Sequence, residues 1–342
     1  MSGARKRSPL SIIPAMIETV GHYKILDRIG TGGIGEVFRA RDTRLGRTVA
    51  IKMLRPEIAN DTLQRERFLQ DARAAAKVSH PNIAALDEIG DEHGQPYLVF
   101  EFATGDTLKA LVAGRPLNPR RAIEYAIQIA DALADIHAQG LVHQDLKADN
   151  IIVTSKGAAK LLDVGLAAWT RGAAARAQAA RAPESLDSAV AAGTAAYMSP
   201  EQALGGAFDH RTDIFSLGVV LFEMLTGKPP FAVETPGTIP LQIMRTTVPG
   251  PSAGDHTLPA EIDPIVAKML AKSLDARYAS AATVAAELRS VAARLGVRSE
   301  SSEIRDSMPR AQSQRTSLLG WLVVVGILVA IAALVWMAMR VE

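Results

Sequence analysis

Four polar side chains, Lys52, Asp145, Asn150 and Asp163, are of the types that moving a phosphoryl group requires. A carboxylate must orient and deprotonate the attacking hydroxyl, hard oxygen ligands must hold Mg2+ against the phosphates, and a cation must offset charge on the transferred group. The run His143-Gln144-Asp145-Leu146-Lys147-Ala148-Asp149-Asn150 sets Asp145 and Asn150 five residues apart with Lys147 between them. Asp163-Val164-Gly165 begins thirteen residues beyond Asn150. Singly, each Asp or Asn suits a turn; jointly they suit one polyphosphate site. Upstream, Gly30-Thr31-Gly32-Gly33-Ile34-Gly35 fits G-x-G-x-x-G, a run whose glycines let backbone approach a phosphate closely.

Two fold types use such a glycine run, and the flanking elements separate them. A dinucleotide-binding fold would open a helix at Gly35. Instead, β-rich runs at Tyr23 to Ile29, Glu36 to Ala40 and Thr48 to Leu54 read as three strands separated by glycine-bearing turns. The loop then lies between two antiparallel strands, and Lys52 sits on the third as a point charge for phosphates. Glu57 to Val78, free of Pro and Gly, predicts a helix ended by His80-Pro81-Asn82, and Ile83 to Glu101 returns to strands. Ile151 to Leu162 reads as a hairpin. Arg120 to Gln139, Thr212 to Thr226, Glu261 to Lys272 and Ala281 to Leu295 read as helices. A small strand-rich half therefore precedes a larger helical half.

The chain has 342 residues, a net charge of +2 and no cysteine. Disulfides and thiolate zinc sites are excluded, and the near-balanced charge argues against a nucleic-acid binder. Residues 1–21 read as a flexible basic arm without the features of a secretory signal. Residues 291–317 read as a juxtamembrane linker. Residues 318–339 carry no charge, enough to cross a bilayer as one helix of about 33 Å, with Trp321 and Trp336 near its ends. Arg305, Arg310 and Arg315 on its N-terminal flank place the bulk of the chain in the cytoplasm, tethered to the inner membrane and in contact with its lipid.

With these residues in view, the chain resembles the protein kinases, specifically the bacterial Ser/Thr kinases of eukaryotic (Hanks) type, over residues 22–290. The resemblance implies an α+β, bilobal fold, with an N-lobe at about 22–101 and a C-lobe at about 103–290. ATP and Mg2+ would lie in the cleft. Gly30, Gly32 and Gly35 would form the glycine-rich loop, Lys52 would meet the phosphates, and Ile29, Val37, Ala50 and Asp71 would complete the nucleotide site. The backbone of Glu101 and Ala103 would meet adenine. Asp145 would be the base, Lys147 a γ-phosphate partner, and Asn150 and Asp163 the metal ligands. Glu201 would pair with Arg277, and Asp213 would brace the catalytic loop. Partners implied are proteins phosphorylated on Ser or Thr, with self-association and autophosphorylation favoured by the tether.

Four departures from the family pattern stand out. Asp71 occupies the place of a glutamate that pairs with the lysine, so that pair would be longer or require a helix shift. Gln144 replaces the arginine before Asp145 and cannot grip a phosphate bidentately, so activity is not expected to depend on a phosphorylated activation segment read there. Val164 replaces Phe and Ala148 replaces Pro. Ser185, Ser188 and Thr194 are possible phosphosites. A catalytically weak pseudokinase acting as a membrane scaffold is the competing expectation, motivated by Asp71, Gln144 and Val164.

Overall fold

The computed structural model describes residues 18–31, 35–166, 169, 195–231, 239–255 and 258–295. Residues 1–17 of the expected arm, Gly32, Ser185, Ser188, Thr194, residues 296–317 of the expected linker and the expected span 318–339 lie outside them, while residues 291–294 of that linker belong to a helix in which Val291 and Ala292 are buried. Among the described residues no helix is long and apolar enough to cross a membrane.

The strand-rich half is a six-stranded antiparallel sheet in the order β1-β2-β3-β4-β6-β5. Its strands are β1 (Thr19–Val20), β2 (Tyr23–Thr31), β3 (Gly35–Asp42), β4 (Thr48–Leu54), β5 (Leu86–Glu92) and β6 (Gln95–Glu101). Alternation along β4 decides which side chains face the site. Val49, Ile51 and Met53 are buried with Tyr23, Phe38 and Tyr97 on one face, so Ala50 and Lys52 must emerge on the other. That second face packs on a cluster of Leu54, Ile58, Phe68, Ala72, Ala75, Leu98 and Phe100.

The single helix expected over Glu57 to Val78 is instead two, α1 (Pro56–Ala59) and α2 (Thr62–Ala75). Asp61 is the cause. It leaves helical geometry at φ −90°, ψ 106°, and its carboxylate accepts the Gln64 N–H at 3.0 Å. A short acidic side chain competes for backbone donors in this way and favours a helix start over a helix interior. On α2, Phe68, Ala72 and Ala75 are buried at the i, i+4, i+7 spacing of one helical face.

The helical half is built on α4 (Pro119–Ala138) and α6 (Arg211–Thr226), with α3 (Leu108–Val112), α5 (Pro200–Ala203), α7 (Ile239–Arg245), α8 (Ile262–Met269) and α9 (Ala281–Arg294) around them. Nearly every residue of α6 is buried, so it serves as a central post. A small sheet of β7 (Gly105–Thr107), β8 (Ile151–Thr154) and β9 (Ala159–Leu161) frames the loop carrying Asp145. The His80-Pro81-Asn82 stop joins the halves. Leu161 N–H donates to the Asn82 carbonyl at 2.8 Å, and the Asn82 amide donates to Gln128 of α4 and to the Ala159 carbonyl, each at 2.8 Å.

Candidate active site

β4 carries Lys52 opposite Val37 of β3 and Leu98 of β6. Its ammonium donates to the carboxylate of Asp163 and lies 5.4 Å from the centre of the Phe100 ring. Asp163 takes a left-handed backbone at φ 63°, followed by Gly165 at φ 76°. A Cβ at Gly165 would come within 3.2 Å of the Ala75 Cβ, so this turn already touches α2. Burial pushes the Asp163 carboxyl up, but the Lys52 charge and hydrogen bond, helped by Lys147, hold it below the usual range. It is therefore ionised at neutral pH, as a hard oxygen ligand must be.

The loop before β8 gathers the other chemistry. Lys147 Nζ donates to both oxygens of Asp145 at 3.1 and 3.0 Å. The Asn150 amide donates to the Asp145 carbonyl at 2.8 Å and to its Oδ2 at 3.2 Å. Buried Leu146 and Ala148 pin the loop between these polar groups. Fully buried Asp213 at the start of α6 accepts the backbone N–H of His143 at 2.8 Å and of Gln144 at 2.7 Å, and His137 Nε2 lies 2.8 Å away. These donors hold Gln144 at φ 65°, and the Gln202 amide caps its carbonyl at 2.9 Å. His143 adds a link absent from the sequence reading. Its Nε2 lies 2.8 Å from the Leu162 carbonyl and its Nδ1 accepts the Asp145 N–H at 3.3 Å, so a neutral ring with its proton on Nε2 ties the Asp145 loop to the Asp163 strand.

The glycine run is shaped for close approach where it meets β4. A Cβ at Gly35 would lie 1.7 Å from the Met53 carbonyl oxygen, so only glycine fits. Ile29 is about half exposed near the end of β2, and Val37 and Ala50 are partly buried. At the end of β6 the Glu101 side chain turns to Lys160, 2.7 Å away, and Ala103 follows in the connecting segment. The donor set fits a magnesium triphosphate: one ionised carboxylate (Asp163), one amide oxygen donor (Asn150), two lysines, and a strand closed to any Cβ.

A protein kinase domain matches residues 23–288 of the chain. The chain belongs to that family. It is 40% identical over 266 residues to a probable serine/threonine-protein kinase of Streptomyces coelicolor, covering 76% of this chain and 38% of that protein. It is 39% identical over 271 residues to the serine/threonine-protein kinase PknB of Mycobacterium tuberculosis, covering 78% and 42%. The chain thus spans about two fifths of the length of these relatives. Among solved structures, the PknI kinase domain of Mycobacterium tuberculosis matches with a TM-score of 0.62 at 23% identity, covering 82% of this chain and all of that one, a likeness of fold.

Within this kinase domain two expectations from the family pattern meet their geometry. Glu201 and Arg277 pair through two bonds at 2.7 and 2.8 Å, and Asp213 braces the Asp145 loop as described. Asp71 behaves otherwise. Lys52 is engaged by Asp163, while Asp71 Oδ2 accepts the indole N–H of Trp169 at 2.8 Å. Asp is shorter than Glu by one methylene, about 1.5 Å of reach, and its carboxylate is taken by the indole. Trp169 was not legible as a site residue, since nothing in a run of small residues pairs it with a position 98 residues upstream.

Proposed function

We propose that the chain is an ATP-dependent Ser/Thr protein kinase, with its catalytic domain held on the cytoplasmic face of the inner membrane by residues 318–339. The observation that carries this reading is the pairing of Lys52 with Asp163 in a fold that also binds Lys147 and Asn150 to Asp145. Asp145 takes the proton of a Ser or Thr hydroxyl as its oxygen bonds to the γ-phosphorus and the bond from that phosphorus to the β–γ bridging oxygen breaks, releasing ADP. Lys52 orients the phosphates, and Lys147, already beside Asp145, offsets charge on the transferred group. Asn150 and Asp163 would hold Mg2+, which neutralises the triphosphate. Ile29, Val37 and Ala50 enclose the adenine, and the backbone of Glu101 and Ala103 meets its edge. The protein substrates include a second copy of the chain, because confinement to a membrane raises the encounter rate of tethered partners.

The test is transfer of labelled γ-phosphate from ATP to a generic protein substrate by the full chain. Asp145→Asn and Lys52→Met should each abolish incorporation. Equal incorporation by wild type and Asp145→Asn would leave a nucleotide-binding scaffold as the better reading.

A further inference from the structure

The family pattern pairs the position of Asp71 with Lys52, but in the structure Asp71 accepts the indole N–H of Trp169. The surroundings make that bond an anchor. Trp169 is 8% exposed and belongs to the same buried cluster as Leu54, Phe68, Ala72 and Leu98. Its ring meets Phe68 edge-on, with centroids 5.5 Å apart and planes at 86°, an arrangement favoured by ring quadrupoles. Phe68 and Asp71 are three apart on α2, so they are neighbours on one helix surface. One indole thus packs on the first and bonds the second. A buried indole N–H must find an acceptor, and an Asp71 oxygen supplies it at 2.8 Å. Lys52, meanwhile, has its carboxylate in Asp163, and Gly165 packs against Ala75 of α2.

We propose that Trp169 is a positioning residue: its indole, bonded to Asp71 and packed edge-on against Phe68, fixes helix α2 to the segment carrying Asp163, in place of an ion pair between α2 and Lys52. This rests on the kinase function proposed above. The two roles for Asp71 make opposite demands. A partner of Lys52 needs the negative charge, whereas a partner of the indole needs only an oxygen acceptor.

Steady-state kinetics of the full chain separates them. Trp169→Phe and Asp71→Ala each lower kcat, roughly tenfold for a lost buried partner, with the KM for ATP held within about twofold. The double variant loses no more than either single, because both remove one contact. Asp71→Asn, which keeps an acceptor, recovers most of the loss seen in Asp71→Ala. A spectroscopic arm reads the bond without activity. In a Trp321→Phe, Trp336→Phe chain, Trp169 is the only tryptophan; Asp71→Ala should shift its emission and Asp71→Asn should not. The proposal is overturned if Asp71→Asn falls as far as Asp71→Ala with a raised KM for ATP, or if Trp169→Phe keeps full kcat. A wild-type chain that transfers no phosphate would sink the kinase function and, with it, any role of Trp169 in turnover, whatever the emission reports.

Discussion

Removing the carboxylate of Glu201 tests how the helical half is locked under the site. The Arg277 side chain is fully buried and that of Glu201 is 10% exposed. Glu201 accepts two bonds from Arg277, at 2.7 and 2.8 Å, and one from Thr212 at 2.8 Å. Arg277 also donates to the carbonyl of Ala271 at 2.6 Å and lies 4.9 Å over the Phe215 ring. Glu201→Ala strands a guanidinium that cannot deprotonate, and breaking a buried pair from one side costs about 3–5 kcal/mol. That is a large part of the roughly 5–15 kcal/mol that holds a domain folded, or a fall in Tm of roughly 6–20 °C at this size. Urea and thermal unfolding measure it. Glu201→Leu/Arg277→Met, which removes both charges, should recover part of the loss. Burial pushes the Glu201 carboxyl up, but Arg277 and Thr212 hold it below its usual value. Its contribution is therefore present above the unfolded carboxyl's pKa and lost as the pH falls through the lower folded value. The gap between wild type and Glu201→Ala should close in acid. A cost below about 1 kcal/mol, the range of surface pairs, would refute the reasoning.

Lys272 Nζ is buried without a hydrogen-bond partner among the described residues, 4.5 Å from the centre of the Phe231 ring. Burial, then the charge of Arg277, pushes its pKa down from 10.5 to about 8. The folded state releases this proton first, so wild-type stability should rise between about pH 8 and 10.5. Lys272→Met should melt higher at pH 7 and lose that margin towards pH 10; a variant that melts no higher than wild type at pH 7 would contradict this. Gly35→Ala drives a methyl to 1.7 Å from the Met53 carbonyl and should displace the end of β3, weakening ATP binding by at least about tenfold, roughly 1.4 kcal/mol, with folding retained. Calorimetry with ADP and magnesium checks it.

Much of this architecture was legible because it is periodic or local. Lys52 was read onto the third strand, and the structure places it there, on the face opposite buried Val49, Ile51 and Met53. Thr48–Leu54 was read without error, and α4, α6 and α9 to within a residue at either end, since their apolar runs are long and end at turn residues. The break between α1 and α2 was missed because Asn60 and Asp61 carry no Gly or Pro. The extended backbone of Asp61 and its capping bond from Gln64 N–H reveal it. The Asp71–Trp169 bond was illegible for a different reason. It depends on how the turn after Asp163 packs on α2, a tertiary fact with no short-range trace. Family pattern directed attention to Lys52 as the partner of Asp71, whereas the bond the structure shows is to Trp169.

Charge balance in the cluster makes a last demand. Lys52 and Lys147 face Asp163 and Asp145 at contact distance, so these four side chains sum to zero. Asp163 stays ionised because Lys52 and its neighbours hold its carboxyl low. A polyanionic triphosphate therefore meets no net positive charge from this set, and it must also compete with Asp163 for Lys52. Screening by water cannot remove that cost where both carboxylates are largely buried. A divalent cation, which Asn150 and Asp163 would hold, would restore the balance. Nucleotide affinity of the full chain should thus fall at least about tenfold when magnesium is removed with EDTA. Asp163→Asn should narrow the gap, since it deletes a metal ligand and a competing charge together. Equal affinity for ATP with and without magnesium would mean that the triphosphate is held by charges other than these, and that the cluster has been given the wrong work.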